Sequence, residues 1–190
     1  MYENKYKNPE PLGSAELNNF LQLIAGLDES LELFAIGGTA MVLKNVKEAT
    51  KDIDFLTTAT KETIKNLFTL AGLKEKNNSK ICNSWYFNDI RIDIFYEEFI
   101  LGYPLPEDWK DISEYIKTIG KIRLYILNWY DIIITKLDRS ESRDIEDILE
   151  IIKNQLIDFQ KLKKRYYDLA PTSIIRDYDI KFKHLEEKLR

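Results

Sequence analysis

Two short stretches decide how this chain reads: Ile36-Gly37-Gly38-Thr39-Ala40 and Lys51-Asp52-Ile53-Asp54-Phe55-Leu56. The first continues Leu31-Glu32-Leu33-Phe34-Ala35, so residues 31–36 have the length and apolarity of a buried strand. Gly37-Gly38 then reads as a tight turn into a short helix from Thr39 to about Leu43. Two glycines let the backbone approach a ligand closely and take positive φ where needed. The free N–H groups at a helix start, with the Thr39 hydroxyl, suit a phosphate. The bland alternative is that a Gly-Gly pair after a strand is only a turn. In the second stretch, Asp52 and Asp54 sit on a strand expected over residues 51–57, so their carboxylates leave the same face while Ile53 and Phe55 pack on the other. Like charges placed this way repel unless a cation lies between them, and Asp is unfavourable in strands. Here the bland alternative is a solvated sheet face.

Upstream, residues 14–27 have helical spacing, with Ser14 as the expected N-cap and Leu17, Phe20, Leu21 and Ile24 on one face. Downstream, Thr60 caps an expected helix running to about Ala71, with Gly72 as its stop. Strands are expected at 80–87 and 90–96, joined at Asn88-Asp89 as a hairpin. Residues 99–112, with Gly102, Pro104 and Pro106, read as a loop, and residues 115–126 alternate around Gly120 as a hairpin or edge pair. From Asn128, itself a potential cap, the period becomes helical: 129–138, 144–153, 156–169 and 176–189, the last two separated by Pro171. The expected fold class is therefore α/β (α+β), a mixed β-sheet domain over residues 1–127 followed by a C-terminal helical part over 128–190.

A chain of 190 residues that is 44% hydrophobic can bury a core without disulfide or metal staples. The net charge of −4 excludes a bulk-basic nucleic-acid binder. That charge is unevenly spread: residues 153–190 hold ten Lys/Arg against six Asp/Glu, a net of +4, which leaves −8 on residues 1–152. Lys161-Leu162-Lys163-Lys164-Arg165-Tyr166-Tyr167 reads either as a phosphate-tracking surface or as an ordinary helix with Leu162 and Tyr166 turned inward. Trp85, Tyr86 and Phe87 read as sheet packing, with a base-stacking platform as the alternative. The lone Cys82 excludes a disulfide framework and fits a reducing compartment, and the lone His184 excludes a His-based triad or multi-His metal site. Residues 1–9 lack the apolar region of a signal peptide, and no apolar run has the length of a membrane span. The expected location is cytoplasmic, with no membrane partner.

A third stretch, Arg91-Ile92-Asp93-Ile94-Phe95, again sets an Asp into an apolar strand. If this strand lies beside 51–57, Asp93 joins Asp52 and Asp54. Three converging carboxylates are costly without a divalent metal. With two Mg²⁺ ions, or Mn²⁺ in their place, they become a two-metal centre for in-line phosphoryl transfer. Such ions take oxygen ligands, which is why Asp stands there rather than His or Cys. Neither a Walker-type loop nor a Gly-x-Gly-x-x-Gly fingerprint occurs.

In this order, a Gly-Gly-Thr turn after a strand, then Asp-x-Asp, then a lone strand Asp, the chain resembles the nucleotidyltransferase superfamily of the DNA polymerase β type. The resemblance implies that Gly37, Gly38 and Thr39 hold the triphosphate of an NTP. It implies that Asp52 and Asp54 bind both metals, and that Asp93 binds the catalytic metal and helps to activate the nucleophile. Further on, a helix ends at Lys136-Leu137-Asp138-Arg139, and after a polar turn the next begins Arg143-Asp144-Ile145-Glu146-Asp147, with Asp144 and Asp147 on one helix face. This is similar to the abortive-infection (type IV toxin) nucleotidyltransferases and related bacterial and archaeal proteins, and it implies that Lys136 contacts phosphate while Asp144 orients it or the metal shell. The alternatives are that Asp144 caps a helix and Lys136 pairs with a nearby carboxylate. The resemblance spans about residues 31–152. Many members have Gly-Ser where this chain has Gly38-Thr39, and residues 96–128 match no motif. It further implies an acceptor hydroxyl on a tRNA 3′ end, with an antitoxin protein as partner, or on a protein or a small molecule such as an aminoglycoside. The competing reading is a catalytically silent nucleotide-binding or protein-interaction module.

Overall fold

The alternating and helical periods of the sequence resolve, in a computed structural model describing residues 11–27, 29–96, 99–100, 103–172 and 176–189, into a mixed sheet followed by helices. The expectations for residues 1–9 and Gly102 lie outside the described residues. The order is α1 (Ser14–Ala25), β1 (Leu31–Ala35), α2 (Gly37–Leu43), β2 (Ile53–Thr57), α3 (Lys61–Leu70), β3 (Lys74–Asn78), β4 (Cys82–Phe87) and β5 (Ile90–Phe95). There follow β6 (Phe99–Ile100), β7 (Tyr103–Pro104), β8 (Glu114–Ile119), β9 (Ile122–Ile126), α4 (Trp129–Arg139), α5 (Ser142–Asn154), α6 (Phe159–Leu169) and α7 (Tyr178–Lys188). A 3-10 turn, Ala170–Thr172, surrounds Pro171 between α6 and α7.

Seven strands form one sheet in the order β3-β4-β5-β2-β1-β9-β8. β1 runs antiparallel to β2 and parallel to β9, and β2 runs parallel to β5. The β4–β5 hairpin turns at Asn88 and Asp89, whose φ values of 47° and 65° match the right-handed strand twist. Thr60 caps α3 by accepting the Thr63 N–H at 3.1 Å, and Asn128 caps α4 by accepting the Asp131 N–H at 3.0 Å.

Several boundaries differ from expectation. Gly13, not Ser14, caps α1, and the Glu16 carboxylate accepts the Gly13 N–H at 2.9 Å. Ile36 is the N-cap of α2, so Gly37 and Gly38 are the first two residues of that helix rather than a turn before it. Asp52 precedes β2, which begins at Ile53. The stretch read as a loop contains the small β6–β7 hairpin, and Trp109 within it is buried. β3, Lys-Glu-Lys-Asn-Asn, has no apolar alternation because it is the sheet's edge and almost wholly exposed.

One face of the sheet is sealed by α1 and α3. Phe20 stacks on Phe55 at 6.3 Å and meets Phe68 edge-on at 5.8 Å, and Phe68 meets Trp85 at 5.4 Å. On the other face Phe34 lies 4.7 Å from Trp109 and 4.8 Å from Tyr125. Arg165 of α6 fastens the helices to this body. It donates to Asp131 at 2.8 Å through both Nε and Nη2, and to Asp108 at 3.1 and 2.9 Å.

The tail is an ordinary helix. Leu162 and Tyr166 are buried, and each basic residue from Lys161 to Arg165 has a partner of its own. Lys161 lies over the Tyr130 ring, Lys163 pairs with Glu186, Lys164 with Asp168, and Arg165 with the two aspartates. No helix among the described residues is long and apolar enough to cross a membrane.

The start of α2 is packed against the chain that precedes β2. Leu12 and Thr50 exchange backbone hydrogen bonds of 2.7 and 2.8 Å, and this bridge seats the Thr50 side chain against Gly38. A Cβ on Gly38 would lie 2.2 Å from Thr50 Oγ1 and 3.0 Å from Thr50 Cβ. Gly38→Ala is expected to destabilise the protein by about 1–3 kcal/mol through overpacking. Adding Thr50→Ala should recover part of that loss, a coupling that a double-mutant cycle of denaturant melts would measure.

Candidate active site

Sheet register brings the carboxylates together. On parallel strands β2 and β5, Asp54 lies directly opposite Asp93. Asp52, just before β2, completes a cluster in which one oxygen of each residue lies within 4.8 Å of the others. Asp93 is buried and the other two are half-buried. Gly37, with φ of +53°, lies beside them, and its missing side chain would meet Asp54 Oδ2 at 3.5 Å.

Burial, with the charges of Asp52 and Asp93 added, pushes the Asp54 carboxyl well above its ordinary range. Arg139 and Arg91 pull in the opposite direction. Arg91 clamps Asp93, with Nη2 2.7 Å from Oδ2 and Nε 3.0 Å from Oδ1. An all-oxygen donor set, held close and short of counter-charge, fits a hard divalent cation. Cys82 is next to this field. Burial, then Asp93 and Asp54, push its thiol up to about 12, so it stays protonated and is no nucleophile at neutral pH.

Thr39 is wholly buried, and its hydroxyl faces the strand. It accepts the Asp54 N–H at 2.9 Å and donates to the Asp52 carbonyl at 3.4 Å. Thr39 thus bonds the backbone of Asp52 and Asp54 on both sides of Ile53.

Lys136 and Asp144 also sit away from open solvent. Lys136, 4% exposed, donates to Asp147 Oδ2 at 2.7 Å and lies 3.6 Å from Asp144. Lys47, from the segment leading to β2, donates to the other Asp147 oxygen at 2.7 Å. Asp144 accepts the Glu141 N–H at 3.0 Å as a capping residue and receives a forked pair of bonds from Arg139 at 2.9 and 2.5 Å. Both near partners of Lys136 are carboxylates. The cation of this network whose charge reaches Asp54 is Arg139, 35% exposed at its side chain. Neither Arg139 nor Arg91 stood out in the sequence, although each lies two or three residues from one that did.

A glycine-started helix beside three carboxylates at one face of a mixed sheet is in keeping with a nucleotidyltransferase, and the family match shows that class. The chain belongs to the family described as nucleotidyltransferase of unknown function (DUF6036), which it matches over residues 15–190. Among the solved structures that share the fold are the following. ANT(2'')-Ia in complex with adenylyl-2''-tobramycin aligns with a TM-score of 0.58 at 14% identity, covering 79% of this chain and 94% of that one. The solution structure of ANT(2'')-Ia aligns at 0.57 and 17% identity, covering 85% and 98%. The lincosamide antibiotic adenylyltransferase LnuA, lincomycin-bound, aligns at 0.55 and 14% identity, covering 77% and 100%. No curated protein matches at the sequence level.

The two electrostatic clusters respond to pH with opposite signs. For Asp144 and Asp147 burial opposes ionisation, but Arg139 with Lys136, and Lys136 with Lys47, outweigh it and hold both below the ordinary range. Their stabilisation is present above the unfolded carboxylate value of about 4 and is lost as pH falls below it. Asp54, raised in the folded state, destabilises increasingly as pH rises above that value. At pH 7 in chelator, Asp54→Asn should therefore melt higher than the native chain. Asp147→Ala, which strips buried Lys136 of its closest partner, should cost about 3 kcal/mol, shrinking towards pH 3. Mg²⁺ or Mn²⁺ should raise the melting temperature of the native chain and not that of Asp54→Asn.

Proposed function

We propose that the protein moves a nucleoside monophosphate from an NTP to an acceptor hydroxyl in a divalent-metal-dependent reaction and releases pyrophosphate. The observation that carries this reading is the register of β2 against β5, which holds Asp52, Asp54 and Asp93 within 4.8 Å of one another. A silent module would have no use for three mutually repelling carboxylates. Mg²⁺, as one or two ions, is the cation this oxygen set would hold, with Mn²⁺ as a substitute. Bound there, it would neutralise triphosphate charge and acidify the acceptor hydroxyl.

The chain's own groups divide the remaining work. Gly37 and Gly38 let the α2 backbone approach the triphosphate. Arg139 presents a fixed cation to the same side, held rigid by Asp144, while Lys136 and Asp147 set the position of Asp144. Lys136 and Asp144 therefore act as positioning residues. Thr39 aligns the Asp52–Asp54 backbone. In the transfer, a bond forms between the acceptor oxygen and the α-phosphorus, and the bond from that phosphorus to the bridging oxygen breaks. The electron pair leaves with pyrophosphate, and the acceptor proton passes to a carboxylate of the cluster or to water.

Two kinds of acceptor frame the substrate question. The structural neighbours carry names that refer to antibiotics, tobramycin and lincosamides. The resemblance of the sequence implies a tRNA 3′ end, and with it a toxin role and an antitoxin partner. A cytoplasmic setting serves either, since NTPs are there.

The test is label transfer. With α-labelled NTPs, Mg²⁺ and either total RNA or tobramycin, the native chain should label one acceptor, and chelation should abolish the label. Asp54→Ala should lower the rate by at least about a hundredfold, and Arg139→Ala should raise the KM for NTP by about tenfold. NTP binding that needs no metal, without transfer to any acceptor, would sink the enzymatic reading.

A further inference from the structure

Gly38 lacks a side chain for a reason of its own. Its φ is not in the left-handed region, unlike the +53° of Gly37, so backbone conformation does not demand a glycine there. The demand is for space, because the Thr50 hydroxyl fills the place of the missing group, with Oγ1 2.2 Å from where a Cβ would stand. The three heavy atoms nearest that Cβ position all belong to Thr50. Thr50 is held there by its backbone, whose N–H and carbonyl are both spent on Leu12 at 2.8 and 2.7 Å, and Leu12 is itself buried. The bare glycine and the pinned threonine form one unit, in which Gly38 supplies the room and Thr50 the hydroxyl.

Two threonine hydroxyls meet the start of α2, and they are used differently. That of Thr39 is turned to the strand, where it joins the backbone of Asp52 and Asp54. That of Thr50 forms no hydrogen bond with any described residue, and Thr50 is only half-buried, so its O–H is open to a ligand. Thr50 also stands two residues before Asp52. The missing Cβ of Gly37 faces Asp54 Oδ2 at 3.5 Å. Successive helix residues turn by about 100°, so Gly38 faces Thr50 rather than the carboxylates.

Resting on the nucleotidyltransferase reading, we infer that Thr50 is a triphosphate-binding residue, whose hydroxyl donates to an oxygen of the β- or γ-phosphate. The reacting α-phosphorus belongs at the carboxylate cluster, which Gly37 adjoins. The part of the triphosphate that leads away from the cluster over Gly38 is the pyrophosphate that leaves. An anionic oxygen there needs a donor, and the side chain against Gly38 that has one to give is Thr50. The contact holds the leaving group rather than the acceptor, and it separates an NTP from a nucleoside monophosphate.

The test uses the full chain and calorimetry, with MgATP, Mg-pyrophosphate and Mn²⁺ alone as separate ligands. Thr50→Val keeps the branched shape and removes the hydroxyl. It should weaken MgATP and Mg-pyrophosphate alike by at least about tenfold, as expected for a lost hydrogen bond to a charged group, and leave the binding of Mn²⁺ alone as in the native chain. Thr50→Ser, which keeps the hydroxyl, should bind both phosphates nearly as the native chain does. Thr50→Ala removes the hydroxyl without crowding Gly38 and should lose as much as Thr50→Val, so the test stands even where the valine variant fails to fold. Gly38→Ser/Thr50→Ala moves a hydroxyl across to the space that Thr50 Oγ1 fills, and it should regain most of the affinity that Thr50→Ala loses. A merely structural role for Thr50 would give no such rescue. The inference is overturned if both hydroxyl-free variants bind MgATP like the native chain, if pyrophosphate binding is spared, if Thr50→Ser is as weak as Thr50→Ala, if the double variant is no better than Thr50→Ala, or if Mn²⁺ is lost to the same degree. A native chain that binds neither MgATP nor Mg-pyrophosphate would instead overturn the nucleotidyltransferase reading itself.

Discussion

Asp54 and Asp93 face each other across two parallel strands, and a third carboxylate joins them from just outside the ladder. Each would be more stable apart. The sheet holds them together through register, which cannot slip by one residue without turning Ile53, Phe55, Ile92 and Ile94 out of the core. The Thr39 hydroxyl adds a second restraint by bonding the backbone on both sides of Ile53. The repulsion is thus balanced by apolar burial on the opposite face, and the three carboxylates are held together by the fold itself.

The C-terminal helices complete the electrostatics of this site. A chain of alternating charges, Lys47–Asp147–Lys136–Asp144–Arg139, runs from the segment before β2 across α5 to the end of α4. Its inner members are buried and saturated, and the half-exposed Arg139 is the end whose charge reaches Asp54. Arg165, with Asp131 and Asp108, fixes the same helices at a second point. Helices that sequence order makes an appendage therefore carry a charge that bears on Asp54. One cluster of buried apolar residues runs from Leu12 to Leu185.

Much of the fold was legible because periodicity and punctuation agree. The β4–β5 hairpin was announced by Asn88-Asp89, α3 by Thr60, α4 by Asn128, and the Asp54–Asp93 meeting by two apolar strands each broken by one acid. β3 was illegible because an edge strand in solvent on both faces needs no apolar pattern. That the Thr39 hydroxyl bonds the backbone around Ile53 was not legible, because residue type and helix position do not say which way a hydroxyl turns. Lys136 and Asp144 share a motif, yet their partners are each other, Asp147 and Arg139, an assignment that depends on how α4 and α5 pack.

Residue types, their spacing and the resemblance their order makes carried the reaction class, since carboxylate oxygens at one strand face suit a hard divalent ion, and that pattern is local. Which cations meet which carboxylates, and which lysines are thereby neutralised, are matters of long-range pairing. Lys47 meets Asp147 a hundred residues away, Arg165 meets Asp108 across fifty-seven, and Lys74 shares a row with Arg91 through the register of β4. Charge is a property of a residue, but its availability depends on its neighbours, and those neighbours are set by the packing of sheet and helices.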